Sequence, residues 1–121
     1  MAWEHYSKLM VWQDAMNLVD EVYRLIACLP WEERYALATQ MRRSVVSIPS
    51  NIAEGHGRRS DKEFQRFLNI ARGSVFELET QLMICVQQKY LTKEQTANVL
   101  EECGNLSRML VRLGQSFDDN R

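Results

Sequence analysis

The sequence predicts an all-α fold, an antiparallel up-down-up-down four-helix bundle, and three observations carry that expectation. Apolar residues recur at alternating spacings of three and four through four long stretches, which is the mark of one helix face. Glycine and proline are scarce, at 5 and 2, whereas an all-β fold needs a turn signal every ~8–12 residues. Capping signals stand where one stretch ends and the next begins. The 121 residues suit one domain, 1–121, because domains run ~100–200 residues. A chain of that length buries a core without staples. With 45% hydrophobic and 26% charged residues, its composition is that of a soluble globular protein and not of a disordered one.

The first helix is expected from Lys8 to Cys28, with Trp12, Ala15, Val19, Val22, Ile26 and Leu29 on its core face. Pro30 stops it. Trp31, Glu32 and Glu33 open the second helix, where acidic residues suit the positive end of the dipole. Its core row is Ala38, Met41, Val45, Ile48 and Ile52. Pro49 lies within it and predicts a kink, since the ring clashes with the Val45 carbonyl. Ser47 and Asn51 are placed to bond the freed backbone groups. Gly55 and Gly57 end the helix. Ser60 and Glu63 form a capping box for the third helix, whose row is Phe64, Leu68, Ala71, Val75, Leu78, Leu82 and Cys85, ending near Tyr90. Thr92 and Gln95 make a second box. The last helix carries Val99, Cys103, Leu106, Leu110, Leu113 and Phe117, and a polar tail covers 118–121.

Two helices are more apolar than a monomer needs. A row of Val11, Leu18 and Leu25 on one flank of the first helix, and Met16 and Tyr23 on the other, widen its apolar sector to about 160°. Phe67, Ile70 and Ile84 lie beside the core row of the third helix, with Phe76 and Met83 further out. A helix apolar on several sides is covered on several sides. Val11, Leu18, Leu25, Phe76 and Met83 are therefore expected at an interface between copies. On the second helix, Gln40, Ser44, Ser47, Asn51 and Glu54 share one polar flank, matched on the third by Glu77 beside Ser74 and Gln81. They read as a polar seam between helices or between subunits. The alternative is a hydrolase-like site using Asn51, Glu54 and Glu77.

Other chemistry is sparse. Cys28, Cys85 and Cys103 are widely spaced in apolar stretches and read as small buried hydrophobes in a reducing compartment, without disulfide or zinc. His5 and His56 are the only histidines, and neither has a second ligand at helical spacing, so no metal or cofactor is expected. The turn Gly55-His56-Gly57-Arg58-Arg59-Ser60 lacks the Lys-Ser/Thr pair and preceding strand of a P-loop. It reads either as a weak anion cradle or as a helix–helix turn whose arginines face the negative end of the second helix. The net charge is −1, yet residues 42–72 carry +4 and the remainder −5. Arg58, Arg59, Lys62 and Arg66 are the candidate anion or nucleic-acid contacts. No aromatic interleaving in this patch suggests base stacking. No apolar run approaches the ~20 residues of a membrane span, and the start carries Glu4 without a basic n-region, which reads as a cytoplasmic protein without a signal peptide.

The stretch QMRRSVVSIPSNIAEGHGRRSDKEFQRFLNIARGSVFELETQL resembles the signature of the bacterial four helix bundle protein family, which includes the 23S rRNA intervening-sequence proteins, also called S23-type ribosomal proteins. The likeness extends through LMVWQDAMNLVDEVYRLIACLP upstream and KYLT downstream, nearly the whole chain. It implies a four-helix bundle assembled as a ring-shaped homopentamer. It supplies no catalytic residue. A related branch, the accessory variability determinants of diversity-generating retroelements, is strongly basic and partners a reverse transcriptase and nucleic acid; this chain departs from it in charge. The combined expectation is a non-enzymatic oligomeric scaffold that contacts itself and RNA or a nucleic-acid-processing protein, with no membrane or small-molecule partner identified.

Overall fold

The computed structural model describes residues 3–119. The four apolar stretches become helices α1 (Met10–Ile26), α2 (Leu37–Gly57), α3 (Asp61–Gln87) and α4 (Lys93–Asp119), preceded by a 3-10 turn at Tyr6–Lys8, with no strand among the described residues. Each helix packs on two neighbours in the cyclic order α1, α2, α3, α4, and among the described residues no diagonal pair brings its Cα atoms within 8 Å. The short connections make successive helices antiparallel. The N-terminal segment and the α2–α3 turn share one end, where Arg59 Nη1 donates to the Trp3 carbonyl at 2.9 Å. The α1–α2 connection and the α3–α4 turn share the other, where the Tyr90 hydroxyl donates to Glu33 Oε2 at 3.0 Å. No helix among the described residues is long and apolar enough to cross a membrane.

The expected rows of α2 and α3 are buried throughout, and so is that of α4 apart from the half-buried Leu113. α1 is rotated from expectation. Its buried face is Val11, Ala15, Leu18, Val22 and Ile26, while Trp12 and Val19 are half-buried. Val11 and Leu18 therefore belong to the core and not to a subunit interface, and Leu25 packs half-buried against that core. A sector as wide as that of α1 does not fix its own rotation; packing between α2 and α4 does. Phe67 is likewise buried rather than peripheral. Cys85 and Cys103 are buried as expected, and burial pushes their thiols up to about 11 and about 12. Cys28 is exposed, because α1 stops at Ile26, before reaching it.

The helix boundaries shift for local reasons. Trp31–Glu33 is a 3-10 turn and not the start of α2. Ala36, at φ −120° and ψ −100°, breaks the chain before α2 begins, and Glu33 Oε1 accepts from the Leu37 amide at 3.3 Å. That carboxylate stands at the positive end of α2. α2 continues through Pro49 to Gly57. Ser47, Ser50 and Asn51 donate to the carbonyls of Ser44, Val46 and Ser47, so none of them reaches Val45. α3 starts from Ser60, whose Oγ accepts from the Glu63 amide at 3.3 Å. The reciprocal half of that box is not made, since Glu63 turns to Arg66 instead. The Thr92–Gln95 box is complete, at 2.8 and 3.1 Å. The tail is shorter than expected, because α4 includes Asp118 and Asp119; 120–121 lie outside the described residues.

Candidate functional site

Gly55 brings the basic cluster together. A Cβ there would overlap the Cβ of Phe67, so only glycine lets α3 lie this close to the end of α2. The chain then turns through Arg59, at φ 58°, and α3 begins at Asp61. Arg58, Arg59, Lys62 and Arg66 are thereby gathered at one end, as the sequence indicated. Most of their charge is already engaged. Arg58 pairs with Glu54 at 3.3 Å and Arg66 with Glu63 at 3.0 Å. The Arg66 hydrogen bond holds the Glu63 carboxyl below its ordinary range. The Arg58 and Arg66 guanidiniums also lie 5.2 and 4.6 Å from the centre of the Phe67 ring. Arg59 ties down Trp3, and Lys62 is exposed without an ion pair among the described residues. Below them His56 is buried among Trp3, Tyr6 and Phe64, edge-on to each ring. Burial lowers its pKa from 6.5, so the imidazole is neutral at pH 7.

The polar seam forms between α2 and α3. Ser44 and Ser74 are buried, the Ser47 and Ser74 hydroxyls hydrogen-bond to each other, and Asn51 donates to the Ser47 carbonyl at 2.8 Å. Glu54 lies at the far end of the seam, held by Arg58. Gln40, Arg43, Ser44, Ser47, Glu77 and Gln81 line an open cleft of about 350 Å³. The structure therefore separates Glu77 from the Asn51–Glu54 stretch with which the sequence grouped it. The carboxyls whose pKa is raised lie elsewhere, on the far side of the bundle. Glu21 is pushed up to about 7, first by its hydrogen bond with Glu102 and then by burial. Its Oε2 is buried without a hydrogen-bond partner, a position that favours the protonated carboxyl. Burial also raises Glu79.

Two of the open apolar surfaces lie on opposite faces. Between α1 and α2, Trp12, Met16, Val19, Val46, Pro49 and Ala53 line a groove of about 330 Å³. Met16 and Tyr23, the outer row of α1, are exposed along it. On the other face Phe76 and Met83 stand 45% and 56% exposed. Both lie on the flank of α3 that turns toward α4, where Gln65 donates to the Gly114 carbonyl at 2.8 Å.

A further cluster escaped the sequence reading. Trp31 and Tyr35 are 69% and 82% exposed. The Arg34 guanidinium lies over both rings, 3.5 Å from the centre of Trp31 and 4.5 Å from that of Tyr35. Reading Trp31 as a helix start hid the cluster. The signal was present in two aromatics, flanking an arginine, that fall outside the three-four rhythm.

The family model described as 23S rRNA-intervening sequence protein matches residues 7–112. A solved structure from Bacteroides thetaiotaomicron, of a protein with unknown function from the S23 ribosomal protein family, aligns with a TM-score of 0.80 at 24% identity, covering 87% of this chain and 98% of that one. That likeness bears on the fold. No curated protein matches the chain.

Proposed function

Since the chain belongs to the 23S rRNA-intervening sequence protein family, we propose that it is a non-enzymatic binding protein that assembles into a closed ring of identical copies and engages RNA or a nucleic-acid-processing partner. The observation that carries this reading is the pair of unlike apolar surfaces on opposite faces. A twofold contact uses one patch twice, whereas a ring needs two different patches that fit each other. The α1–α2 groove is concave and apolar; Phe76 and Met83 are the protruding side chains opposite it. Five copies is the number the family resemblance suggests. A ring repeats the basic end once per copy, so that weak contacts through Lys62 and its neighbours gain by effective concentration. The seam hydroxyls are committed to backbone and to each other, which suits packing more than catalysis.

Light scattering on wild type should give a multiple of the 14.2 kDa chain. Phe76→Lys and Val46→Lys should each give monomers, and mixing the two should give a two-copy complex through the one intact pair of surfaces. A wild-type monomer at micromolar concentration would overturn the reading. Nucleic-acid contact at the basic end predicts affinity that falls with salt, with a shallower slope in Arg58→Ala/Arg59→Ala.

A further inference from the structure

The geometry points to the Trp31–Arg34–Tyr35 cluster as a stacking platform for an unpaired nucleotide of single-stranded nucleic acid, at the end of the bundle opposite the basic turn. Large aromatics on a surface are normally covered, and tryptophan, tyrosine and arginine are the residue types that dominate binding hot spots. Here the exposure is built in. Pro30 and the 3-10 turn lift Trp31 off the end of α1, and the break at Ala36 keeps Tyr35 out of α2. Neither ring joins the core.

The chemistry of the occupant follows from Arg34. Its Nη1 donates to the Trp31 carbonyl at 3.0 Å, and its Nε is buried without a partner. The guanidinium thus fills the cation position over both rings, so a second cation is repelled. A flat, neutral ring is accepted on the remaining faces, as in the aromatic-plus-arginine stacking that holds single strands. No carboxylate among the described residues pairs with Arg34. Of the two acids in the turn, Glu33 is bonded to the Leu37 amide and the Tyr90 hydroxyl, and Glu32 is exposed and makes no ion pair with Arg34 among the described residues. A fixed, unneutralised cation beside an open π face suits a base attached to a phosphate. Arg58 and Arg66, both paired, lack that property. Lys89 and Lys93, exposed on the adjoining α3–α4 turn beside the exposed Glu32 and Glu94, offer two further cations for the phosphates of a strand.

The test is fluorescence anisotropy with a labelled oligouridine dodecamer and an abasic dodecamer of equal phosphate count, at low salt. Wild type should bind the oligouridine more tightly than the abasic strand. Trp31→Ala and Tyr35→Ala should each weaken oligouridine binding about tenfold, and Trp31→Phe should keep most of it. Arg58→Ala/Arg59→Ala should preserve the preference for bases. Light scattering on the same variants should match wild type, which separates loss of this site from loss of the assembly. Equal binding of both strands by wild type, no binding of either, or full affinity in Trp31→Ala/Tyr35→Ala would each overturn the proposal.

Discussion

At the α2–α3 turn end, Trp3, Tyr6, His56, Phe64 and Phe117 pack ring against ring, with centroids 5.3–6.4 Å apart, and the arginines above them are paired or tethered. At the other end Trp31 and Tyr35 stand in solvent and share one unpaired arginine. The same residue types therefore do different things. The N-terminal segment folds back over the first end, through the Arg59–Trp3 bond, and Trp3 packs half-buried against the core. Nothing among the described residues folds back over the second. Aromatic area at the first end stabilises the fold; at the second it contributes little to folding and is free for a partner.

Truncation should expose that difference most strongly. Phe64 is fully buried, and Phe64→Ala should cost about 4 kcal/mol, the usual loss for a core aromatic. Trp31→Ala should stay within about 0.5 kcal/mol, as surface changes do. Urea unfolding of both variants checks this; similar losses would mean that the exposed end is also structural. The glycines sharpen the contrast within the turn end. Gly55→Ala drives a methyl into Phe67 and should cost about 2 kcal/mol by overpacking. Gly57→Ala meets nothing within 4 Å and should gain up to about 1 kcal/mol of helix propensity.

The pH dependence divides the molecule differently. His56 has its folded pKa below the ordinary 6.5. The stability it contributes is present above pH 6.5 and is lost as pH falls toward the folded value. Glu21 has its folded pKa raised from 4.5 to about 7. Its contribution is full below pH 4.5 and is lost as pH rises through 7. Solvent screening at this partly exposed pair reduces the loss to about 1 kcal/mol. Glu21→Gln should flatten the alkaline arm, and His56→Phe the acid arm, of melting temperature against pH. An unchanged alkaline arm in Glu21→Gln would show that the Glu21–Glu102 pair does not set it.

Helices with an unbroken central apolar row were legible in the sequence. α3 carries further apolar residues on its flanks, but its three-four row runs without a gap and every expected core residue on it is buried. α1 has too many apolar residues to reveal which row faces in, which is why Val11 and Leu18 read as an interface row when they are core. Phe76 and Met83 were legible as outward because they lie more than a quarter turn from a clear core row. The basic cluster was legible as a cluster, but its neutralisation was not: the pairings of Arg58 and Arg66 depend on rotamers, and the Arg59–Trp3 tether joins positions far apart in sequence. The Trp31–Tyr35 platform depends on a backbone break at Ala36, which is neither glycine nor proline and carries no turn signal.

The smallest effect compares the turns that close the two ends of α3. Each has a non-glycine residue in the left-handed region, Arg59 at φ 58° and Lys89 at φ 65°. That conformation costs an L-residue roughly 1–2 kcal/mol, which glycine avoids, although glycine also raises the entropy of the unfolded chain. The two sites differ in what the side chain returns. Lys89 is exposed and makes no side-chain hydrogen bond or ion pair among the described residues. Lys89→Gly should therefore stabilise the protein by about 0.5 kcal/mol, the part of the strain relief that survives the entropy term. Arg59 donates to the Trp3 carbonyl at 2.9 Å and lies 5.9 Å from the Trp3 ring. Arg59→Gly relieves the same strain but releases the N-terminal segment from His56 and Phe64, a hydrogen-bond loss of about 1 kcal/mol. It should be neutral to destabilising. Hydrogen exchange at Gln13, whose amide bonds the Leu9 carbonyl at 3.1 Å, should quicken in Arg59→Gly and stay unchanged in Lys89→Gly. If both glycine variants gain equally, the N-terminal segment is not what holds Arg59 in its strained conformation, and the covered end owes its order to the rings alone.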